Sequence, residues 1–149
     1  METKIYRIID ANLNRFKEGI RVVEDIQRYI FNNKELSLKL KNLRHLGNLK
    51  SLKLQINCLN SRDTNLDVLK KSIDLELQRK DLSSVLTANL KRSQESARVL
   101  EEIFKLIDLE NSQVFKNARY ELYDLEKEIL TKFLERSKMG DKPINEHLT

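Results

Sequence analysis

The sequence has few residues that bend a chain: one proline and three glycines in 149 residues. β-Sandwiches and doubly wound sheets need turn residues often, so this scarcity argues against both and favours long helices. Cys58 is the only cysteine, which excludes an internal disulfide and a cysteine metal site. No apolar run is long enough to span a bilayer, and the opening METKIYRIID lacks the apolar stretch of a secretory leader. The expected location is therefore a reducing cytosol, with no membrane partner. Charge of a single sign is lacking too. The 28 Lys and Arg residues alternate with 23 Asp and Glu residues, which leaves a net charge of only +5. Interleaving of this kind marks solvated helix faces, and with only nine aromatics (Tyr 4, Phe 5) no nucleic-acid partner is expected. There is no Gly-rich phosphate loop, GKS or GKT triplet, GxSxG or HExxH. Any phosphate must then be held by Arg and Lys side chains and helix N-termini.

What the chain does have is a repeat. Residues 11–30, ANLNRFKEGIRVVEDIQRYI, return as residues 88–107, ANLKRSQESARVLEEIFKLI, with ten of twenty positions identical. Half of the shared positions are polar or charged: Asn12/Asn89, Arg15/Arg92, Glu18/Glu95, Arg21/Arg98 and Glu24/Glu101. Further on, Lys41-Asn42-Leu43-Arg44-His45 matches Lys116-Asn117-Ala118-Arg119-Tyr120, and the offset falls from 77 to 75. The repeating unit is thus a helical hairpin with a turn two residues shorter in the second copy.

Apolar spacing places the helices. Ile9, Leu13, Phe16, Ile20, Val23 and Ile30 form one stripe of a first helix over about 5–31. A second helix is expected over about 34–56, with Leu36, Leu40, Leu43, Leu49, Leu52 and Ile56 inward. Residues 57–64 read as a loop rich in N-cap residues, and 65–80 as a long connection. A third helix is expected over about 82–107 and a fourth over 113–136, the latter with Phe115, Ala118, Leu122, Leu125, Ile129 and Phe133 inward. The expected fold is all-α: a four-helix bundle of two hairpins (about 5–56 and 82–136) related by a pseudo-twofold axis, joined by 57–81. It makes one domain, 1–137, with a disordered tail at 138–149.

Helical geometry sorts the repeated polar residues. Glu18, Arg21 and Asp25 fall opposite the apolar stripe, on a solvated face where they can support one another. Asn12 and Arg15, like Asn89 and Arg92, border the stripe. Such groups either satisfy a neighbouring helix end or converge on a polar pocket at the pseudo-twofold axis. Arg44 and His45 add a cation and a titratable base. Ser61-Arg62-Asp63-Thr64 offers an Arg among cap residues at a helix start, a phosphate cradle or a plainly capped loop.

The ordered strings DANLNRFKEGIRVVEDIQRYI, LRH, SRDT, ANLKRSQESARVLEEIFKLI and ARYELYDLE resemble one family over about residues 5–130. It is the helical domain of thiamine biosynthesis described as an alternative hydroxymethylpyrimidine phosphate kinase, often fused in front of thiamine phosphate synthase. The resemblance implies phosphoryl transfer from ATP, with Mg²⁺, to 4-amino-5-hydroxymethyl-2-methylpyrimidine phosphate. It makes that pyrimidine the substrate and the synthase a candidate partner, and it leaves a homodimer open. On this reading Arg15, Arg62, Arg92 and Arg44 hold phosphates, with His45 and Thr64 beside them. Asp63, Glu18 or Glu95 hold Mg²⁺ or take the proton of an attacking hydroxymethyl group, and Asn12 and Asn89 bond the aminopyrimidine. A non-catalytic module that binds a phosphorylated precursor or the synthase is the alternative. The chain departs from the family pattern in lacking the synthase barrel and in a Lys- and Leu-rich stretch after SRDT.

Overall fold

The computed structural model describes residues 1–63, 67–69 and 78–138. Helix α1 spans Glu2–Asp25 and runs on into a π-helical turn, Ile26–Ile30. Helices α2 (Lys34–His45), α3 (Leu52–Ser61), α4 (Leu82–Phe104) and α5 (Leu109–Lys138) follow. Among the described residues there is no strand, so the fold is all-α as the turn-poor composition implies. No helix there is long and apolar enough to cross a membrane.

Local chemistry sets the helix starts. Asn33 Oδ1 accepts from Leu36 N at 3.0 Å, Ser51 Oγ from Leu54 N at 3.2 Å, Asp81 Oδ1 from Ser84 N at 2.8 Å and Asp108 Oδ1 from Asn111 N at 3.1 Å. Each bond satisfies one of the backbone donors that a helix start leaves unpaired. Between α1 and α2 the chain turns through Asn32 at φ 52°, a left-handed conformation that asparagine tolerates better than most residues. The first helix ends in a π-turn that closes on Phe31 N→Ile26 O at 3.2 Å, a wider ring than the α-helix makes. The two-residue excess of the first hairpin follows it: Phe31 and Asn32 stand between Ile30 and the Asn33 cap, where in the second copy Asp108 follows Ile107 directly.

Helices α1 and α4 form the centre of the molecule; α2 and α3 pack on α1, and α5 packs on α4. Small residues let the central pair come close. A Cβ at Gly19 would stand 2.3 Å from Ser93 Oγ and 2.8 Å from Asn89 O. Ser93 Oγ donates to Phe16 O across the crossing at 3.0 Å, and positions 16 and 93 are equivalent under the repeat offset. Around this crossing Ile9, Leu13, Phe16, Ile20, Leu86, Leu90, Leu100 and Phe104 are buried, each contributing about 1.5–3 kcal/mol. Phe115 of α5 joins them, edge-on to Phe16 at 5.4 Å and stacked on Phe104 at 5.8 Å.

Several expected boundaries move. The single helix over 34–56 is two helices. The chain leaves α2 after His45 and restarts at the Ser51 cap, with Gly47 packed so tightly that a Cβ would meet Lys17 Cγ at 2.5 Å. Leu52 and Ile56, expected inside, are consequently exposed. The expected loop 57–64 is helical through Ser61. The third helix ends at Phe104, and the fourth begins at Leu109 because Asp108 caps it. Five helices, not four, are therefore described. The readings made for most of 65–80 and for the tail beyond Lys138 lie outside the described residues.

Candidate functional site

The repeated charges divide by burial. Arg44 Nε meets Glu24 Oε1 at 2.7 Å and its second nitrogen reaches Oε2 at 3.4 Å, a forked pair holding α2 to α1. Arg119 meets Glu101 Oε2 at 3.1 Å and holds α5 to α4 at the equivalent place. Glu101 Oε2 also accepts from Arg98 at 3.1 Å, and Arg119 donates to the Tyr123 hydroxyl at 3.3 Å. Both carboxylates are buried, so these repeated residues pin each hairpin together. The sequence holds a signal for this pairing: Glu24 with Arg44 and Glu101 with Arg119 recur together.

The other predicted residues sit as follows. Asn12 Nδ2 donates to Ile8 O at 2.9 Å and Asn89 Nδ2 to Val85 O at 2.8 Å, so each amide bonds its own helix. Arg15, Arg92, Glu18, Glu95 and His45 are exposed. No hydrogen bond among the described residues joins Asn12 or Arg15 to Asn89 or Arg92. Thr64 lies outside the described residues. Arg62 and Asp63 lie at the C-terminal end of α3, not at a helix start as expected. The helix dipole there does not favour an anion, so any anion binding must come from the guanidinium itself. Ser61 Oγ is spent on Cys58 O at 2.6 Å.

Arg62 nonetheless stands at a cleft. Its guanidinium forks onto Asp10, with both nitrogen–oxygen distances at 2.9 Å. Asp10, Asn14 and Lys17 from α1, Asn48 from the α2–α3 connection, and Gln55, Cys58 and Arg62 from α3 line a cavity of about 320 Å³. Lys17 Nζ reaches Asn48 Oδ1 at 3.4 Å, and Arg7 donates to Asp63 O at 3.2 Å just outside. Burial pushes the Cys58 thiol up to about 11; the Asp10 charge adds to this and Arg62 opposes it. The Asp10 hydrogen bond raises Arg62 further above its ordinary value. Two cations, one carboxylate and three amides face a space in the size range of small-molecule sites. Asp10, Lys17 and Gln55 were not singled out from sequence, and Asn14 read as part of the solvated face, because only folding α3 back onto α1 turns that face into the wall of a cleft.

The second hairpin carries a cleft at the equivalent place. Lys91, Gln94 and Tyr123, the repeat counterparts of Asn14, Lys17 and Asn48, line about 390 Å³ together with Glu95 and Arg98. Helix α5 runs straight on where the first hairpin breaks, so nothing equivalent to α3 walls this side. A third cleft of about 370 Å³ lies beyond the other end of α1, lined by Phe31, Ile129 and Phe133 together with Gln27, Lys132 and Arg136.

Among the described residues no group of three or more His, Cys, Asp or Glu is placed to hold a metal ion. The first cleft holds a single carboxylate, Asp10, and both of its oxygens are engaged by Arg62.

The described residues form a small all-α module with a cleft on each hairpin. The chain belongs to the ThiD2 family, whose model matches residues 7–128. It is 41% identical over 125 residues to the thiamine-phosphate synthase of Thermosynechococcus vestitus, covering 83% of this chain and 34% of that protein. The Synechocystis sp. thiamine-phosphate synthase is 39% identical over 135 residues, covering 86% and 37%. That of Prochlorococcus marinus subsp. pastoris is 33% identical over 132 residues, covering 87% and 36%. The chain thus spans about a third of the length of the curated relatives it matches. No solved structure matches. Family and relatives agree on thiamine biosynthesis as the setting.

Proposed function

We propose that this chain is a phosphotransferase of thiamine biosynthesis, converting hydroxymethylpyrimidine phosphate and ATP to the pyrophosphate and ADP. The observation that carries the reading is the cleft of the first hairpin, where Lys17 and Arg62 flank Asp10 and a row of side-chain amides. Phosphoryl transfer asks for positioning and charge neutralisation more than for covalent chemistry. Lys17 and Arg62 supply the neutralising charge, with Arg7 at the rim. Asn14, Asn48 and Gln55 supply donors and acceptors for the aminopyrimidine. Arg15 and Arg92, exposed and with side chains in no hydrogen bond or ion pair among the described residues, remain candidates to gather phosphates at the surface. Asn12 and Asn89 remain candidates to bond the ring if their helix bonds are exchanged.

The attacking group is not the hydroxymethyl group expected from sequence. The attacking atom is an oxygen of the substrate's phosphate, because its hydroxymethyl oxygen is already esterified. That oxygen bonds to the γ-phosphorus, the bond from γ-phosphorus to the bridging oxygen breaks, and ADP leaves. A phosphate monoester loses its second proton near pH 6, so no strong base is needed at neutral pH. Asp10, which lines the cleft, and Asp63 just outside it are then better assigned to metal-bound water and orientation; Glu18 does not line this cleft, and Glu95 lines the other one. Mg²⁺ bound with ATP supplies charge neutralisation at the phosphates.

The test is turnover of ATP, Mg²⁺ and the pyrimidine phosphate by purified protein, followed by phosphorus NMR. Lys17→Ala and Arg62→Ala should each cut the rate at least tenfold while the helical signal is kept. Absence of the pyrophosphate under conditions where a known kinase makes it, or full activity in both variants, would sink the reading.

A second reading has its own support. The relatives carry this segment as about a third of a thiamine-phosphate synthase, so a non-catalytic module that binds the precursor or the synthase also accounts for the clefts. Precursor binding without turnover, or co-purification with a separate synthase, would favour it.

A further inference from the structure

Gln27 stands where the fold elsewhere puts an apolar side chain. It follows Val23 on the inward stripe that runs down α1, and its repeat counterpart is Phe104, fully buried in the core. Gln27 itself is 4% exposed, yet its side-chain amide bonds to no described residue. Nor is that amide sealed away: the polar side-chain atoms shut in without a partner belong to Asp25, Gln94, Arg119 and Glu126. Open and unbonded, it gives onto the third cleft, which it lines. A buried amide normally finds a partner, and a break in the apolar pattern marks a functional position. Gln27 also lies in the π-turn Ile26–Ile30, a geometry frequent at functional sites, and Asn33 N→Gln27 O at 2.8 Å holds its backbone.

The cleft's volume of about 370 Å³ is in the range of small-molecule sites. Phe31 and Phe133, edge-on at 6.1 Å, make an apolar wall, and Arg136 lies over the Phe31 ring at 4.6 Å. Lys132 and Arg136 line the space against one carboxylate, Glu135. The Lys132 side chain is half exposed and meets Glu128 only at 3.5 Å, so its ammonium can turn to a ligand.

We propose that this cleft binds a small aromatic acid with a hydroxyl at the end of the ring away from its carboxylate. The ring packs against Phe31 and Phe133, which takes its apolar faces out of water. The hydroxyl bonds the Gln27 amide, which offers both a donor and an acceptor. The carboxylate meets Lys132 and Arg136, whose two charges outnumber that of Glu135. Such a ligand carries no phosphate and needs no Mg²⁺. The phosphotransferase reading rests on Lys17 and Arg62, neither of which lines this cleft, so either idea can fail alone.

The experiment is titration of the full, isotope-labelled chain with 4-hydroxybenzoate, followed by NMR without ATP or Mg²⁺. The Gln27 side-chain amide signal, identified by its loss in Gln27→Met, should shift on binding. Two truncated probes, 4-methylbenzoate without the hydroxyl and 4-methylphenol without the carboxylate, should each bind about fivefold more weakly or worse. Gln27→Met should weaken 4-hydroxybenzoate by about the same factor and leave 4-methylbenzoate unchanged. Its melting temperature should stay level or rise, because an apolar side chain suits the stripe. Lys132→Gln should weaken 4-hydroxybenzoate and spare 4-methylphenol. A melting temperature lowered in Gln27→Met, or failure of that variant to fold, would mean that the amide serves the structure, and overturns the proposal. So does equal affinity for either truncated probe, and so does an unmoved Gln27 signal at millimolar 4-hydroxybenzoate.

Discussion

Arg44→Ala strips the partner from Glu24, whose side chain is only 2% exposed. Breaking a buried pair from one side costs about 3–5 kcal/mol, because the remaining charge is left without solvent or partner. Total stability for a domain is on the order of 5–15 kcal/mol, so this one change removes a large share. At roughly 2–4 °C per kcal/mol for a chain of this size, the melting temperature should fall by about 6–20 °C. Arg119→Ala at the equivalent site should cost less, about 1.5–3 kcal/mol, because Glu101 keeps Arg98 at 3.1 Å. Urea unfolding followed by circular dichroism measures both. Replacing the whole pair, Glu24→Leu with Arg44→Met, should recover most of the loss, since matched apolar residues substitute well for a buried ion pair. The reasoning fails if Arg44→Ala costs under about 1 kcal/mol, or if the two arginine variants lose equal stability.

Three other outcomes are expected. Gly19→Ala should destabilise by about 1–3 kcal/mol in urea unfolding despite alanine's better helix propensity, because its Cβ would press on Ser93 Oγ and Asn89 O; an unchanged midpoint would show a looser crossing. Cys58, with its thiol raised to about 11, should react slowly with iodoacetamide at pH 8. The unfolded chain releases this proton first, so stability should fall as pH rises from about 9 to 11, by at most ~1.4 kcal/mol per pH unit, and Cys58→Ala should abolish that slope. The Ser84 backbone and hydroxyl bonds hold the Asp81 carboxyl below its ordinary value, so its contribution is present above the unfolded carboxylate range and lost as pH falls through the folded one. Asp81→Ala should therefore melt earlier at pH 7, and the gap from the parent should close in acid.

Much of the helix core could be read from spacing alone. Ile9, Leu13, Phe16, Ile20 and Val23 are buried as their three- and four-residue steps imply, and so are Phe115, Ala118, Leu122, Leu125 and Ile129. Ile30 departs from the pattern because the π-turn changes the angle per residue just before it. Leu52 and Ile56 depart because the helix breaks ahead of them, at a glycine whose packing against Lys17 is a tertiary fact. The first cleft was less legible for the same reason. Arg62 stood out in sequence, but Asp10, Lys17 and Gln55 become its neighbours only through that break. The repeat itself announced polar residues worth keeping, and burial then separated Glu24 and Glu101, which hold the hairpins, from Arg15 and Arg92, which face solvent.

At the central crossing, a residue of one half touches its own counterpart in the other, Phe16 against Ser93. Two copies of one hairpin meeting face to face would make the same kind of contact. The domain can thus be understood as a dimer whose subunits share one chain. A covalent tether raises the effective concentration of one half at the other to the millimolar range, so the halves need little intrinsic affinity. With assembly secured by the tether, the two sides are free to diverge. One has broken its second helix to wall a cleft, while the other has kept it straight.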